Sequence, residues 1–218
     1  MALTAIKRRS KLAPIAVLAP ERYDPRRTTP RNRKSTVLLQ DVAQIKRKNV
    51  WPSDDLGPHI VLRTCDVSEG IVTAVKEPTD NIGSLKREVR PHDVIISRLR
   101  PDRRQVAFVD KGIPNAKKSL LVVSTEFFIL RSVNSQSIAF LVTFLLSAKV
   151  QEVLAASQEG ATHPRIDGPA VLNLPIPRQV LRHREALSER VEESIRLYRE
   201  SQSVMSKAIV QVDRSWVE

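Results

Sequence analysis

The sequence predicts an α+β protein carrying one long helix at its C-terminal end. Three observations lead there. Between residues 59 and 130 short β-branched runs recur, divided by Pro, Asn and Gly turns. From Ile138 to Ala148 the chain is strongly apolar and suits a buried helix. From about Val180 to Val212 there is neither Gly nor Pro, and the pattern is helical but too polar for a core helix.

Residues 1–35 form a basic, proline-containing tail. It holds ten lysines and arginines against Glu21 and Asp24, two thirds of the chain's net +12, and Pro14, Pro20, Pro25 and Pro30 break any helix. A solvated flexible terminus and an arm lying along phosphates both fit it. A folded domain starts near Thr36. Val37-Leu38-Leu39, residues 59–63, 71–75, 93–97, 105–109 and 120–130 read as strands, and Pro78, Asn81 and Gly83 mark a loop between them. One helix is expected over about 136–157, ended by Gly160, and Pro175 and Pro177 fix an extended connector. The last helix threads a heptad seam through Leu187, Val191, Ser194, Tyr198, Ser201, Met205, Ala208 and Val212, in steps of four and three. Its larger members recur every seven residues opposite small ones, which suits two close antiparallel helices. A lone surface helix is the plainer reading.

Of the 218 residues, 41% are apolar, enough for a real core, and the basic excess (pI about 10.3) points to a polyanionic partner. Aromatics at 4% count against a single-strand binder, which stacks bases on rings. The lone Cys65 allows neither an internal disulfide nor a cysteine zinc cluster. The start, MALTAIKRRSK, lacks the apolar core of a signal peptide. The apolar run at 138–148 is too short to cross a bilayer. A soluble, reduced, cytoplasmic protein is expected.

Sets that carry chemistry are sparse. There is no Walker-type loop and no GxGxxG after a strand. His59, His92, His163 and His183 have no zinc-pair spacing, and Asp54-Asp55 reads as a surface turn. Glu77, Asp80 and Lys86 make a poor nuclease set, and no Asn-Pro-Pro-Tyr-type motif of an amino-methyltransferase occurs. No cofactor and no metal is expected. The basic clusters say more. Arg98, Arg100, Arg103 and Arg104 fall within eight residues between two strands, where arginine can grip phosphate or read guanine. Lys46, Arg47 and Lys48 lie beside Trp51, and Lys86-Arg87 and Lys117-Lys118 are weaker patches. A solvated or internally paired turn is the alternative for each.

Several of these segments resemble, in order, one target-recognition domain of the specificity subunit of type I restriction–modification systems. Residues 91–101 (PHDVIISRLRP) are similar to the family's GDILxSRxRP stretch. Residues 124–131 (STEFFILR) are similar to STEFxVLR, and 160–166 (GATHPRI) with 172–177 (LNLPIP) to GATxPRI and LPIPLPP. The likeness covers residues 36–178. It departs after Pro177, where Arg178-Gln179-Val180 replaces the family's further prolines, and the chain has room for one recognition domain and one long helix where the family has two of each.

The resemblance implies a mixed or antiparallel sheet with packed helices over 36–178, and over 179–218 a coiled-coil helix that pairs with a second copy or with a partner's helix. It implies sequence-specific double-stranded DNA recognition for a methyltransferase or restriction complex whose partner subunits hold the chemistry. Recognition residues are expected from about 76–90 and 98–104. The rivals are a stand-alone DNA-binding adaptor of a defence system, an RNA-binding basic protein and, more distantly, a nuclease.

Overall fold

A computed structural model of the chain describes residues 23–27, 35–113, 118–160 and 162–216. The strands are short: β1 (Thr36–Leu38), β2 (Ala43–Lys46), β3 (Asn49–Val50), β4 (His59–Leu62), β5 (Val67–Ser68), β6 (Ile71–Val72), β7 (Lys86–Glu88), β8 (Val94–Ser97), β9 (Val106–Phe108), β10 (Leu120–Ser124), β11 (Phe127–Ser132) and β12 (Pro175–Pro177). The helices are α1 (Phe140–Leu146), α2 (Ala148–Ala156), α3 (Gly168–Leu172), α4 (Arg178–Arg182) and α5 (Arg184–Ser215). The fold is α+β, as the sequence predicts.

Two four-stranded sheets form its frame. One, in the order β2-β11-β8-β9, is antiparallel throughout. The other, in the order β3-β7-β10-β4, is mixed, because β10 runs parallel to β4. The first sheet is covered on both faces. Val94, Ile96, Phe128 and Leu130 point to the layer that includes α1 and α2, and Ile95, Phe127 and Ile129, one residue out of phase, pack with Ile60, Leu62, Leu121 and Val123 of the second sheet. This is why β8 and β11 read as continuous apolar runs without alternation. Val50, Val122 and Ile82 close the outer face of the second sheet.

The predicted helix over 136–157 is two. Ser147 is extended (φ −64°, ψ 144°), so the ladder breaks between α1 and α2. The carbonyls freed there are bonded: Ser147 Oγ donates to Phe144 O, Gln151 Nε2 to Leu145 O and Arg104 Nη1 to Leu146 O. His183 (φ −100°, ψ 11°) makes a turn, not an extended break, between α4 and α5. Residues 73–75, expected in a strand, have no regular structure, whereas β2, β3 and β7 were not foreseen. In particular Lys86 and Arg87, expected in a recognition loop, form a strand between β3 and β10.

α5 has two halves. At about 1.5 Å per residue its 32 residues span roughly 48 Å. In the first half Ser188, Val191 and Ile195 are buried, and Ser188 Oγ accepts a hydrogen bond from the Phe140 amide at the start of α1. Arg199 Nη2 then meets Asp110 at 2.9 Å, and Tyr198 donates to Thr73 O. From residue 200 to 216 every residue is exposed. The tail expected over 1–35 lies largely outside the described residues. Its segment 23–27 packs on α2, with Arg27 Nη2 donating to Glu159 at 2.8 Å and to Ser157 O.

Candidate nucleic-acid interface

One end of the antiparallel sheet gathers the arginines. There β2 and β8 end and β11 begins, since Ser97 pairs with Phe127 and Lys46 with Ile129. Three separate sequence segments meet at that end. The Arg98 amide donates to Glu126 O at 2.7 Å, the Ile166 amide donates to Arg98 O at 2.9 Å, and Leu99 forms a bridge with Arg165. These are the segments SRLRP, STEF and GATHPRI, which carry the family resemblance and are now neighbours in space.

Their side chains form one cluster. Arg165 grips Glu126 through both carboxylate oxygens, with Nη2 at 2.7 Å and Nε at 2.9 Å. Arg98 stacks over the Phe128 ring, 5.2 Å from guanidinium carbon to centroid. Arg87 reaches in from β7 and donates Nη1 to Phe127 O at 3.0 Å. Arg47 is exposed at the end of β2, and a Cβ on Gly168 would stand 3.7 Å from its Nη2 and 3.9 Å from the Phe128 ring, so the guanidinium and that ring flank the same small space.

The charge does not balance. Hydrogen bonds from Arg165 hold the Glu126 carboxyl below its ordinary pKa against the opposing effect of burial, and the positive fields of Arg165, Arg98 and Arg87 add to the shift. Glu126 in turn raises the Arg165 pKa. Arg87 shifts the other way: burial lowers its pKa, and repulsion from Arg47 and Arg98 lowers it further. Nε of Arg87 and Nε of Arg98 are buried without a hydrogen-bond partner. With Glu126 committed to Arg165, Arg47, Arg87 and Arg98 form no salt bridge of their own among the described residues.

The expected four-arginine loop therefore divides. Arg98 joins the cluster. Arg100 and Arg104 flank a 3-10 turn at Pro101–Arg103, both in left-handed backbone (φ 43° and 52°), a conformation costing about 1–2 kcal/mol for a residue with a Cβ. Arg100 pairs with Asp102 inside the loop. Arg103 is exposed at the tip, and its side chain has no partner among the described residues. Arg104 turns away to Glu69 and to the end of α1, so its role is to join loop to helix. Of the lysine patches, Lys48 is taken by the buried Glu88, which Arg90 also holds at 2.6 Å. Lys86 turns back to Ser84. Lys46 is half-buried on β2, Lys118 is exposed, and Lys117 lies outside the described residues. Sequence reasoning missed Glu126 and Arg165 as partners, because no local pattern joins residues 39 apart. Arg47 is one of three consecutive basic residues, and its neighbour Lys48 goes to Glu88 instead.

The predicted helix seam also divides. Val191 is buried in the domain's own core with Leu187 at its edge, so neither is free for another chain. Ser194 is exposed, and Tyr198 is half-buried on its bond to Thr73. Ser201, Met205, Ala208 and Val212 are exposed, Met205 by 61% and Val212 by 57%, with Val204 beside them. At 3.6 residues per turn this apolar stripe lies roughly a third of a turn around the helix from the face that packs on the domain. Among the described residues no three His, Cys, Asp or Glu side chains are grouped to hold a metal, and no helix is long and apolar enough to cross a membrane.

No protein-family model and no curated protein sequence matches this chain. Solved structures do. One comes from work on complex assembly and conformational transition of the type I R-M system. It aligns over 81% of this chain and 48% of its own, with a TM-score of 0.55 and 24% identity. Another is the HsdS subunit from Thermoanaerobacter tengcongensis, aligned over 79% of this chain and 46% of its own, with a TM-score of 0.53 and 22% identity. The chain thus spans about half the length of the structures it resembles. Its fold, an α+β domain followed by one long helix, is that found in about half of a type I restriction–modification specificity subunit.

Proposed function

We propose that this chain is a DNA-recognition subunit: it binds double-stranded DNA sequence-specifically and directs a methyltransferase or restriction complex whose other subunits carry the chemistry. The observation that supports this most is the pole where Arg47 and Arg98 crowd Arg87 beside an acid, Glu126, already held by Arg165. A rigid cationic surface of this kind suits a polyanion, and guanidinium suits phosphate and guanine. The fold likeness sets the context, and the groups on this chain hold and orient DNA without reacting with it. Base readers are assigned to the strained loop, where Arg100 and Arg103 are exposed.

Two copies associate, in this reading, through the exposed half of α5. The stripe of Val204, Met205, Ala208 and Val212 favours this, and a second copy would supply the part of the neighbouring structures that one copy does not span. A two-fold dimer reads a palindromic bipartite site. Selection from a random duplex library at fixed salt tests the function. Enrichment of one two-part motif and co-purification with a methyltransferase subunit are expected. Tighter binding to structured RNA than to any duplex at the same salt would overturn it, and motif selection without a methyltransferase partner would leave a stand-alone adaptor.

A further inference from the structure

We propose that Arg47, Arg87 and Arg98 form one anion socket that grips a single phosphodiester of duplex DNA, with the Glu126–Arg165 pair as its fixed wall. The inference rests on the DNA-binding reading and adds the chemistry of one contact: three arginines act on one backbone phosphate, so the contact sets register and carries no base specificity.

Geometry supports this in three ways. The arginines come from three different places in the frame, the end of β2, the middle of β7 and the end of β8, and converge on the start of β11. Arg98 is held by the Phe128 ring and Arg87 by the Phe127 carbonyl, so two of the three guanidiniums are positioned before any ligand arrives. Arg47, exposed and with no side-chain partner among the described residues, stands at the mouth.

Charge selects the ligand. The socket holds its cations against mutual repulsion, because Glu126 spends both oxygens on Arg165. A neutral base edge could accept hydrogen bonds there but would leave the repulsion in place. An anion removes it. Arg165 stays outside the socket for the same reason, its charge being already met.

The salt dependence of duplex binding tests the socket, because the slope of log affinity against log salt counts neutralised phosphates at about 0.9 each. Titrations of a labelled duplex with wild-type protein and with the triple variant Arg47→Ala, Arg87→Met, Arg98→Met, between about 50 and 200 mM salt, are expected to differ in slope by about 0.9. A difference of about 2.7 would mean three separate phosphate contacts and would overturn the socket, as would an unchanged slope. Wild-type protein with no salt-dependent affinity for any duplex would remove the DNA reading together with the socket, a result visible before any variant is made. Because the triple variant alters packed residues, Arg47→Ala gives a second measurement at an exposed position. Inorganic sulfate should raise the melting temperature of the wild type more than that of Arg47→Ala, and equal stabilisation would refute a shared anion site.

Discussion

Glu126→Gln separates what the arginine pole does for the fold from the DNA contact proposed for it, because the two expected effects have opposite signs. In the folded chain Arg165 makes charge-assisted bonds to both Glu126 oxygens, at 2.7 and 2.9 Å, with the two side chains 38% and 25% exposed. Such bonds contribute about 1.5–3 kcal/mol when shielded. Partial exposure and the one oxygen retained by Gln reduce the loss to about 1–2 kcal/mol. For a domain of this size that is a fall in melting temperature of about 3–6 °C. The same change removes a negative charge from beside the socket. For a phosphate about 7 Å away, at an effective dielectric constant of about 40–80, this is worth about 0.6–1.2 kcal/mol, a roughly three- to eightfold tighter Kd. Thermal melting and duplex titration on the same preparation measure both.

Acid should copy the substitution. The Glu126 pKa is depressed in the folded chain, chiefly by the Arg165 hydrogen bonds, so its contribution is fully present above the ordinary carboxylate pKa and is lost as pH falls through the depressed value. The stability gap between wild type and Glu126→Gln should therefore begin to narrow below the ordinary carboxylate range and close only as pH falls through the depressed value. A variant with unchanged melting temperature, or one that binds duplex more weakly, would refute the reasoning.

Other predictions concern the frame and the helix. Asp93 is 1% exposed, accepts 2.7 and 2.6 Å bonds from Arg131 and takes the Arg90 amide, so Asp93→Ala should cost about 3 kcal/mol, read by urea unfolding. A loss under about 1 kcal/mol would show that Arg131 finds water instead. Gly70→Ala should cost about 3 kcal/mol, since the residue has φ +100° and its Cβ would stand 2.9 Å from Val142 Cγ1 on α1. An unchanged melting temperature would mean that α1 gives way. Met205→Glu with Val212→Glu, at positions 61% and 57% exposed, should weaken self-association at least about 100-fold by light scattering without changing the domain's melting temperature. A wild type that stays monomeric at high concentration would end the dimer reading.

The sequence made some of this legible because the signal was local. β8 and β11 declared themselves by continuous apolar runs, and α5 by the absence of Gly and Pro over some thirty residues. β7 escaped because all three of its residues, Lys86, Arg87 and Glu88, are charged, and only β3 and β10 on either side make it a strand. The break at Ser147 escaped because the side chains that bond the freed carbonyls include Arg104, 43 positions away. At the pole, counting arginines in a row found Arg98 but also Arg104, which serves the fold. The partners that matter, Glu126 and Arg165, are joined through the bridge between Leu99 and Arg165, a long-range contact that composition cannot register.

The pairing of β1 with β12 has a consequence for how such a protein can change. Thr36 lies opposite Pro177, so the strands by which the chain enters and leaves the domain run side by side, about 5 Å apart. Everything between them, both sheets, the strained loop and the arginine pole, is a cassette hung from a single hem. Another unit with the same hem could replace it without a new closure, provided it kept the face that receives Ser188, Val191 and Ile195 of α5. Change within the segment is therefore limited by two seams, the hem and the first half of α5, while the exposed half of α5 is free of both.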